Sequence, residues 1–119
     1  MKRGDEVPRP TGWVLRCTER KAAVGWDNLV RQAPQAMDRA WVQITGEPRP
    51  VSERQHQLRG SLSTHHFKGQ DLEVWQYEVT SAGRVWYLIN DETKTLWVFH
   101  AGPRPSEIHR IADASQHAN

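Results

Sequence analysis

The chain has 119 residues, a length that fits one domain with one hydrophobic core and excludes two. Its 25% charged and 37% hydrophobic residues exclude a disordered chain, and no apolar run approaches the ~20 residues that a membrane helix needs. The formal net charge of +2 permits an anionic partner without requiring one.

Residues 1–12 form the first predicted segment, a flexible arm that has no periodicity and lacks the apolar stretch of a signal peptide. The run Trp13–Thr18 then predicts a short strand. It contains Cys17, the only cysteine, so no internal disulfide can form and the reducing cytoplasm is the expected location. We interpret this thiol as a small buried hydrophobe rather than a nucleophile.

Two amphipathic helices follow the first strand. Apolar residues recur at helical spacing through Ala33, and Pro34 then suits the first turn of a second helix that ends at Gly46. Trp26 and Trp41 fall within these apolar patterns. We therefore expect a helical hairpin whose two tryptophan rings pack against a sheet.

The second half of the chain predicts the sheet itself. Residues 51–60 have no clean period and predict a loop, and residues 62–68 predict a strand. Three β-branched and aromatic runs separated by four-residue polar turns then predict an antiparallel meander. These runs are residues 72–79, 84–90 and 95–101. The Pro-containing segment after Ala101 is expected to end the last strand.

Alternation along the meander assigns the two faces of the sheet. The core set on one face consists of Trp75, Tyr77, Val79, Val85, Tyr87 and Ile89. Arg84 and Trp86 fall on the opposite face, where a charge beside a large ring suggests a surface made for contact. The predicted domain is therefore an α+β fold over residues 13–107, in the order β-α-α-β-β-β-β, with a two-helix hairpin on one face of a mostly antiparallel, roughly five-stranded sheet. Residues 108–119 are predicted to form a polar C-terminal tail.

Several runs in this pattern also point to a known family. The runs are Leu58-Arg-Gly60, Trp75-Gln-Tyr-Glu-Val79, Gly83-Arg-Val-Trp-Tyr87 and the basic, Pro-containing tail. The chain resembles the RelE/ParE-like toxins of bacterial type II toxin–antitoxin systems, particularly the cytotoxic translational repressors. The resemblance implies a strand–helix–helix–sheet fold, a cognate antitoxin as partner, and a ribosome-dependent endoribonuclease of messenger RNA that needs no metal or cofactor.

Two alternative functions remain open on the same fold. ParE-like members inhibit DNA gyrase, and a non-catalytic protein that binds nucleic acid or the ribosome is also compatible with the sequence. Metal-free RNA cleavage needs a base, a general acid and cations that stabilise the charged phosphorane. The catalytic candidates are Arg84, Lys68, Glu78 and His100, and the RNA-binding candidates are Arg54, Arg59, His66 and Arg104.

Arg84 is the candidate with the best match, because it resembles the basic residue that RelE-like toxins place near the scissile phosphate. The adjacent pair His65-His66 does not predict a metal site, since neighbouring residues of a strand point to opposite faces.

Overall fold

A computed structural model of the chain describes residues 1–7 and 12–104. Its two helices are α1 (Arg20–Gln32) and α2 (Pro34–Gly46), and a single 3₁₀ turn in this part of the chain spans Gly60–Leu62. Its strands are β1 (Val14–Cys17), β2 (Gln55–Gln57), β3 (Thr64–Phe67), β4 (Gln70–Glu78), β5 (Gly83–Asn90) and β6 (Thr95–Pro103). The predicted tail, residues 108–119, lies outside the described residues, as does part of the predicted arm. No helix in the described ranges is long and apolar enough to cross a membrane.

The six strands form one sheet in the order β1-β6-β5-β4-β2, and β3 also pairs with β4. β1 runs parallel to β6, and every other pair is antiparallel. β3 pairs with the beginning of β4 and β2 with its second half. The predicted α+β architecture, with a helical hairpin on one face of a mostly antiparallel sheet, is confirmed.

The main core lies between the helices and one face of the sheet. All six residues assigned to that face by alternation are at most 5% exposed, and they pack with residues of both helices, including Leu29 and Ile44. Gly25 sets how closely α1 approaches the sheet, because a Cβ at this position would lie 2.0 Å from the carbonyl oxygen of Ala101. The alternation of β4 and β5 therefore identifies the core face correctly.

The opposite face of the sheet, which we call the outer face, is less open than its sequence suggests. Leu72, Val74 and Leu88 are buried there, with Phe67 and Trp97 packed against them. Arg84 and Trp86, predicted to form a contact surface, are only 6% and 1% exposed. That expectation is wrong because Arg84 folds back onto main-chain carbonyls of the β4–β5 turn, and the rings of Phe99 and His100 pack against Trp86.

Three further expectations need correction. β2 lies within residues 51–60, which had no visible strand period, so the sheet has six strands rather than about five. β6 continues through Pro103, two residues past its expected end at Ala101. A proline is tolerated there because β1 pairs only with Thr95–Val98 of β6. Trp41 is 45% exposed, at the rim of a groove that also contains Leu15 and Trp26, and is not enclosed between the hairpin and the sheet.

Candidate functional site

A row of four side chains crosses the outer face and organises the candidate site. Strand pairing places His56 of β2 opposite Gln76 of β4, Gln76 opposite Trp86 of β5, and Trp86 opposite His100 of β6. Directly paired residues of antiparallel strands project to the same side. The indole nitrogen of Trp86 donates to Oε1 of Gln76 at 2.8 Å, which fixes the centre of the row.

A cavity of about 880 Å³ opens on the β2 and β4 side of this row. We call it the arginine cavity, because three arginines and two glutamates line it and give it a formal charge of +1. Its lining includes His56, Arg59, Gln76, Glu78, Arg84 and Arg104. Four sequence-predicted site residues, Arg59, Glu78, Arg84 and Arg104, are thus brought together.

Arg84 and Glu78 form the inner wall of the arginine cavity. They are directly paired across β4 and β5, and Nη2 of Arg84 lies 3.2 Å from Oε1 of Glu78. Nη1 of Arg84 donates to the carbonyls of Thr80 at 2.7 Å, Gly83 at 3.1 Å and Ser81 at 3.4 Å. The guanidinium is therefore held by the β4–β5 turn, whereas the Glu78 side chain remains 33% exposed to the cavity.

Two exposed arginines, Arg59 and Arg104, contribute solvent-accessible positive charge to the cavity. The amide of Arg104 donates to the carbonyl of Ala82 at 2.6 Å, which anchors this residue beside the β4–β5 turn. Long cationic side chains at the rim of a cavity can reach an incoming phosphate. Arg54 has a different position: its Nη1 donates to the carbonyl of Glu78 at 2.9 Å and so caps the end of β4.

His56 is a site residue that sequence reasoning missed. It is half-buried and faces the arginine cavity from β2. The strand was not recognised because its inward residue Gln55 is polar, although it is only 2% exposed. The Gln55 amide donates to the Tyr87 hydroxyl at 2.8 Å and to the Glu47 carbonyl at 3.0 Å. Alternation of outward His56 and Leu58 with inward glutamines was the available signal.

His100 faces a second cavity, on the other side of Trp86. This α1–β6 cavity has a volume of about 460 Å³ and lies between α1 and the end of β6. Nε2 of His100 donates to the carbonyl of Pro103 at 3.3 Å, and burial lowers the pKa of the imidazole below its usual value. The ring is therefore neutral at pH 7, with Nε2 carrying the proton and Nδ1 as an acceptor.

The structure does not bring Lys68 and His66 to the arginine cavity. Lys68 lies in the β3–β4 turn, with Nζ 4.6 Å from the ring centroid of Trp97 and 5.7 Å from that of Phe67. His66 lies on exposed β3, where Nδ1 is 2.9 Å from Oδ1 of Asp71. In residues 1–7 and 12–104, no three His, Cys, Asp or Glu side chains converge as a metal-binding group.

Three solved structures share this architecture. A copper-bound mutant toxin from Helicobacter pylori superposes with a TM-score of 0.56 at 15% identity, covering 82% of this chain and 99% of that one. A metal-bound toxin from Helicobacter pylori gives 0.54 at 15% identity with the same coverage. The archaeal RelE–RelB complex from Pyrococcus horikoshii gives 0.56 at 16% identity, covering 79% and 97%.

The fold is that of these toxins. The strand–helix–helix–sheet order expected from the RelE/ParE resemblance is thereby confirmed. By sequence, the chain matches no family model, and no curated protein matches it either. At 15–16% identity, the likeness concerns the fold, and the activity must be argued from the site.

Proposed function

We propose that the chain is a RelE-type toxin that cleaves messenger RNA on the ribosome and is neutralised by a protein antitoxin. The observation that carries this proposal is the arginine cavity, which combines a carboxylate, an imidazole and two exposed guanidinium groups on the outer face. The shared fold supports it, since one of the neighbouring structures is a RelE–RelB complex.

In the proposed mechanism, Glu78 takes the proton of the 2′-hydroxyl that attacks the phosphate. Arg84 positions this carboxylate at 3.2 Å rather than contacting the phosphate directly. Arg59 and Arg104 hold the phosphate and stabilise the charge of the phosphorane. His56 protonates the leaving 5′-oxygen, because a protonated imidazole can serve as a general acid.

The test is cleavage of a defined messenger on programmed ribosomes. The purified chain is expected to cut within codons, and Glu78→Gln should lower the cleavage rate by about 10²–10⁴-fold, the usual contribution of general acid–base catalysis. Glu92→Gln, in the exposed β5–β6 turn, is the matched control and should cleave normally. Equal rates for the wild type and Glu78→Gln would remove Glu78 from the mechanism.

A non-catalytic RNA-binding or ribosome-binding protein is the second candidate function. The burial of Arg84 favours it, since the guanidinium is 6% exposed and already bonded to three carbonyls. Ribosome binding without any cut would establish this alternative. Growth arrest with intact transcripts and inhibited DNA supercoiling would instead identify a gyrase inhibitor.

Antitoxin dependence needs a separate measurement. Expression of the chain alone should arrest growth, and co-expression of the small protein encoded by an adjacent reading frame should restore it. Normal growth at high expression of the folded chain would contradict the toxin assignment.

A further inference from the structure

The α1–β6 cavity has a size and wall composition suited to a small planar ligand. Its volume of about 460 Å³ lies within the range of about 300–1,000 Å³ that is common for small-molecule sites. One wall is helix α1, and the other contains Trp86, Phe99 and His100 of the outer face. The mechanism proposed above uses none of these side chains.

The aromatic wall exposes parts of the Phe99 and His100 rings, while Trp86 is 1% exposed and one face of Phe99 stacks on His65 with ring centroids 5.3 Å apart. The rings of Trp86 and Phe99 have centroids 5.7 Å apart and are tilted by 48°, and the His100 ring lies 5.4 Å from Trp86. A register shift in the β5–β6 ladder after Trp86 brings both Phe99 and His100 to this face, where both remain half-buried. Nucleobases stack on aromatic walls of this kind irrespective of their sequence.

The polar groups at this cavity match the edge of a base. Oδ1 of Asn28 accepts a hydrogen bond from Arg31, so the amide N–H groups of Asn28 are the donors available to a ligand. His100 donates Nε2–H to Pro103 and offers Nδ1 as an acceptor. Lys21 adds an ammonium group and Glu19 a carboxylate to the lining of the cavity.

The two cavities adjoin each other. Pro103 lines the α1–β6 cavity and the next residue, Arg104, lines the arginine cavity. Between them, the Trp86 indole is bonded to Gln76, which also lines the arginine cavity. A single-stranded RNA can therefore present a phosphate to one cavity and an unstacked base to the next.

We propose that the α1–β6 cavity is a nucleobase subsite, which binds a base of the RNA whose neighbouring phosphate occupies the arginine cavity. The inference rests on the proposed function for its substrate class and adds a site to it. Phe99 supplies the part-exposed aromatic surface, with the buried Trp86 ring packed against it, and Asn28 and His100 contact the edge of the base.

The test is nuclear magnetic resonance titration of the purified chain with the four nucleoside 5′-monophosphates and with inorganic phosphate. Nucleotides should shift the indole signal of Trp86 and the side-chain amide of Asn28, and inorganic phosphate should shift neither. Asn28→Ala should weaken nucleotide binding by about two- to tenfold, the loss expected for one hydrogen bond. Phe99→Leu should also weaken it, whereas Gln32→Ala, at an exposed position of α1, is the matched control.

Two results would overturn the subsite. One is that nucleotides shift only signals of the arginine cavity, and the other is that a folded Asn28→Ala and a folded Phe99→Leu bind nucleotide like the control. Signals moved by an antitoxin and by none of the nucleotides would mark the cavity as a protein-docking site and reject the proposal as well. Because the titration needs neither ribosomes nor cleavage, nucleotide binding by a chain that cuts no messenger rejects only the nuclease assignment.

Discussion

Arg84 shows how one side chain can hold a turn and a carboxylate at once. Its guanidinium contacts the carbonyls of Thr80, Ser81 and Gly83 and one oxygen of Glu78. Its removal takes this donor from Thr80 and Ser81, whereas the Gly83 carbonyl keeps its hydrogen bond from the Val79 amide. Positioning residues of this kind combine structural and functional effects. The consequence is that loss of activity in an Arg84 variant must be measured beside its stability.

Arg84→Ala should therefore lower the free energy of unfolding by about 1–3 kcal/mol, because the part-buried carbonyls of Thr80 and Ser81 and the Glu78 carboxylate lose their partner. Urea denaturation of the purified variant measures this change. Arg59→Ala removes an equally charged but exposed side chain and should change the unfolding free energy by no more than about 0.5 kcal/mol. A denaturation midpoint of Arg84→Ala equal to that of Arg59→Ala would show that the turn does not depend on the guanidinium.

Among the elements, α1 depends on its close approach to β6. The carbonyl carbon of Ala101 would lie 3.0 Å and its oxygen 2.0 Å from a Cβ at Gly25, and both are main-chain atoms that cannot rotate away. A glycine in the interior of a helix destabilises that helix, so the presence of Gly25 is explained by packing and not by helix propensity. The same contact sets the width of the α1–β6 cavity, which Gly25 and Ala101 both line.

Gly25→Ala should destabilise the protein although alanine is the better helix former by about 0.8–1.0 kcal/mol. The overpacked interface should cost about 1–3 kcal/mol in net unfolding free energy, because α1 must move away from β6. Thermal denaturation by circular dichroism measures the change. Gln32→Ala, an exposed substitution in the same helix, should be neutral or slightly stabilising, and an equally stable Gly25→Ala would contradict the close approach.

The elements with strong periodicity were predictable from sequence, and the weakly patterned strand was not. The meander of β4, β5 and β6 alternates cleanly, so pairing of Glu78 with Arg84 follows from the turn between them. β2 escaped prediction because its inward residue Gln55 is a buried glutamine that bonds the hydroxyl of Tyr87. Because β2 was not predicted as a strand, His56 was not placed in the arginine cavity.

Two other misses came from packing that a one-dimensional pattern does not contain. Trp41 follows the helical spacing of α2, but Met37, Ala40 and Ile44 are the residues of this helix that pack in the core. The Trp41 ring is left 45% exposed, beside the groove that contains Leu15 and Trp26. Trp86 was expected on an open surface, but Phe99 and His100 contact it from β6. Packing contacts of this kind join residues of different elements, which a local pattern does not show.

In the whole molecule, Arg49 connects three distant segments through two carboxylates. From the loop after α2, its guanidinium contacts Glu73 of β4 at 3.1 and 3.2 Å and Asp91 of the β5–β6 turn at 2.8 Å through two nitrogens. These hydrogen bonds to Arg49 lower the pKa of Glu73 below 4.5 and that of Asp91 below 3.8, their ordinary values. A carboxylate whose pKa is lowered on folding stabilises the folded state at pH values above the pKa that it has in the unfolded chain.

The stability contributed by this cluster should therefore be fully present above about pH 5 and disappear as the pH falls through the lowered pKa values of both carboxylates. In Arg49→Met, the free energy of unfolding should fall less steeply than in the wild type as the pH is lowered. Because the three side chains are 34–61% exposed, the effect is that of a screened surface network. Urea denaturation between pH 3 and 7 measures it, and parallel pH profiles of wild type and variant would exclude the cluster as the cause.

The parallel pairing of β1 with β6 also determines the order in which this chain can fold. Val14 pairs with Thr95 and Cys17 with Val98, so the first strand has no partner until nearly the whole domain has been synthesised. Closing so long a loop is entropically costly before any contact rewards it, whereas the β4–β5 hairpin closes locally. On a translating ribosome, the sheet must therefore remain incomplete until β6 has left the exit tunnel. The arginine cavity and the α1–β6 cavity, which both include residues after Val98, can then form only after β6 has been synthesised.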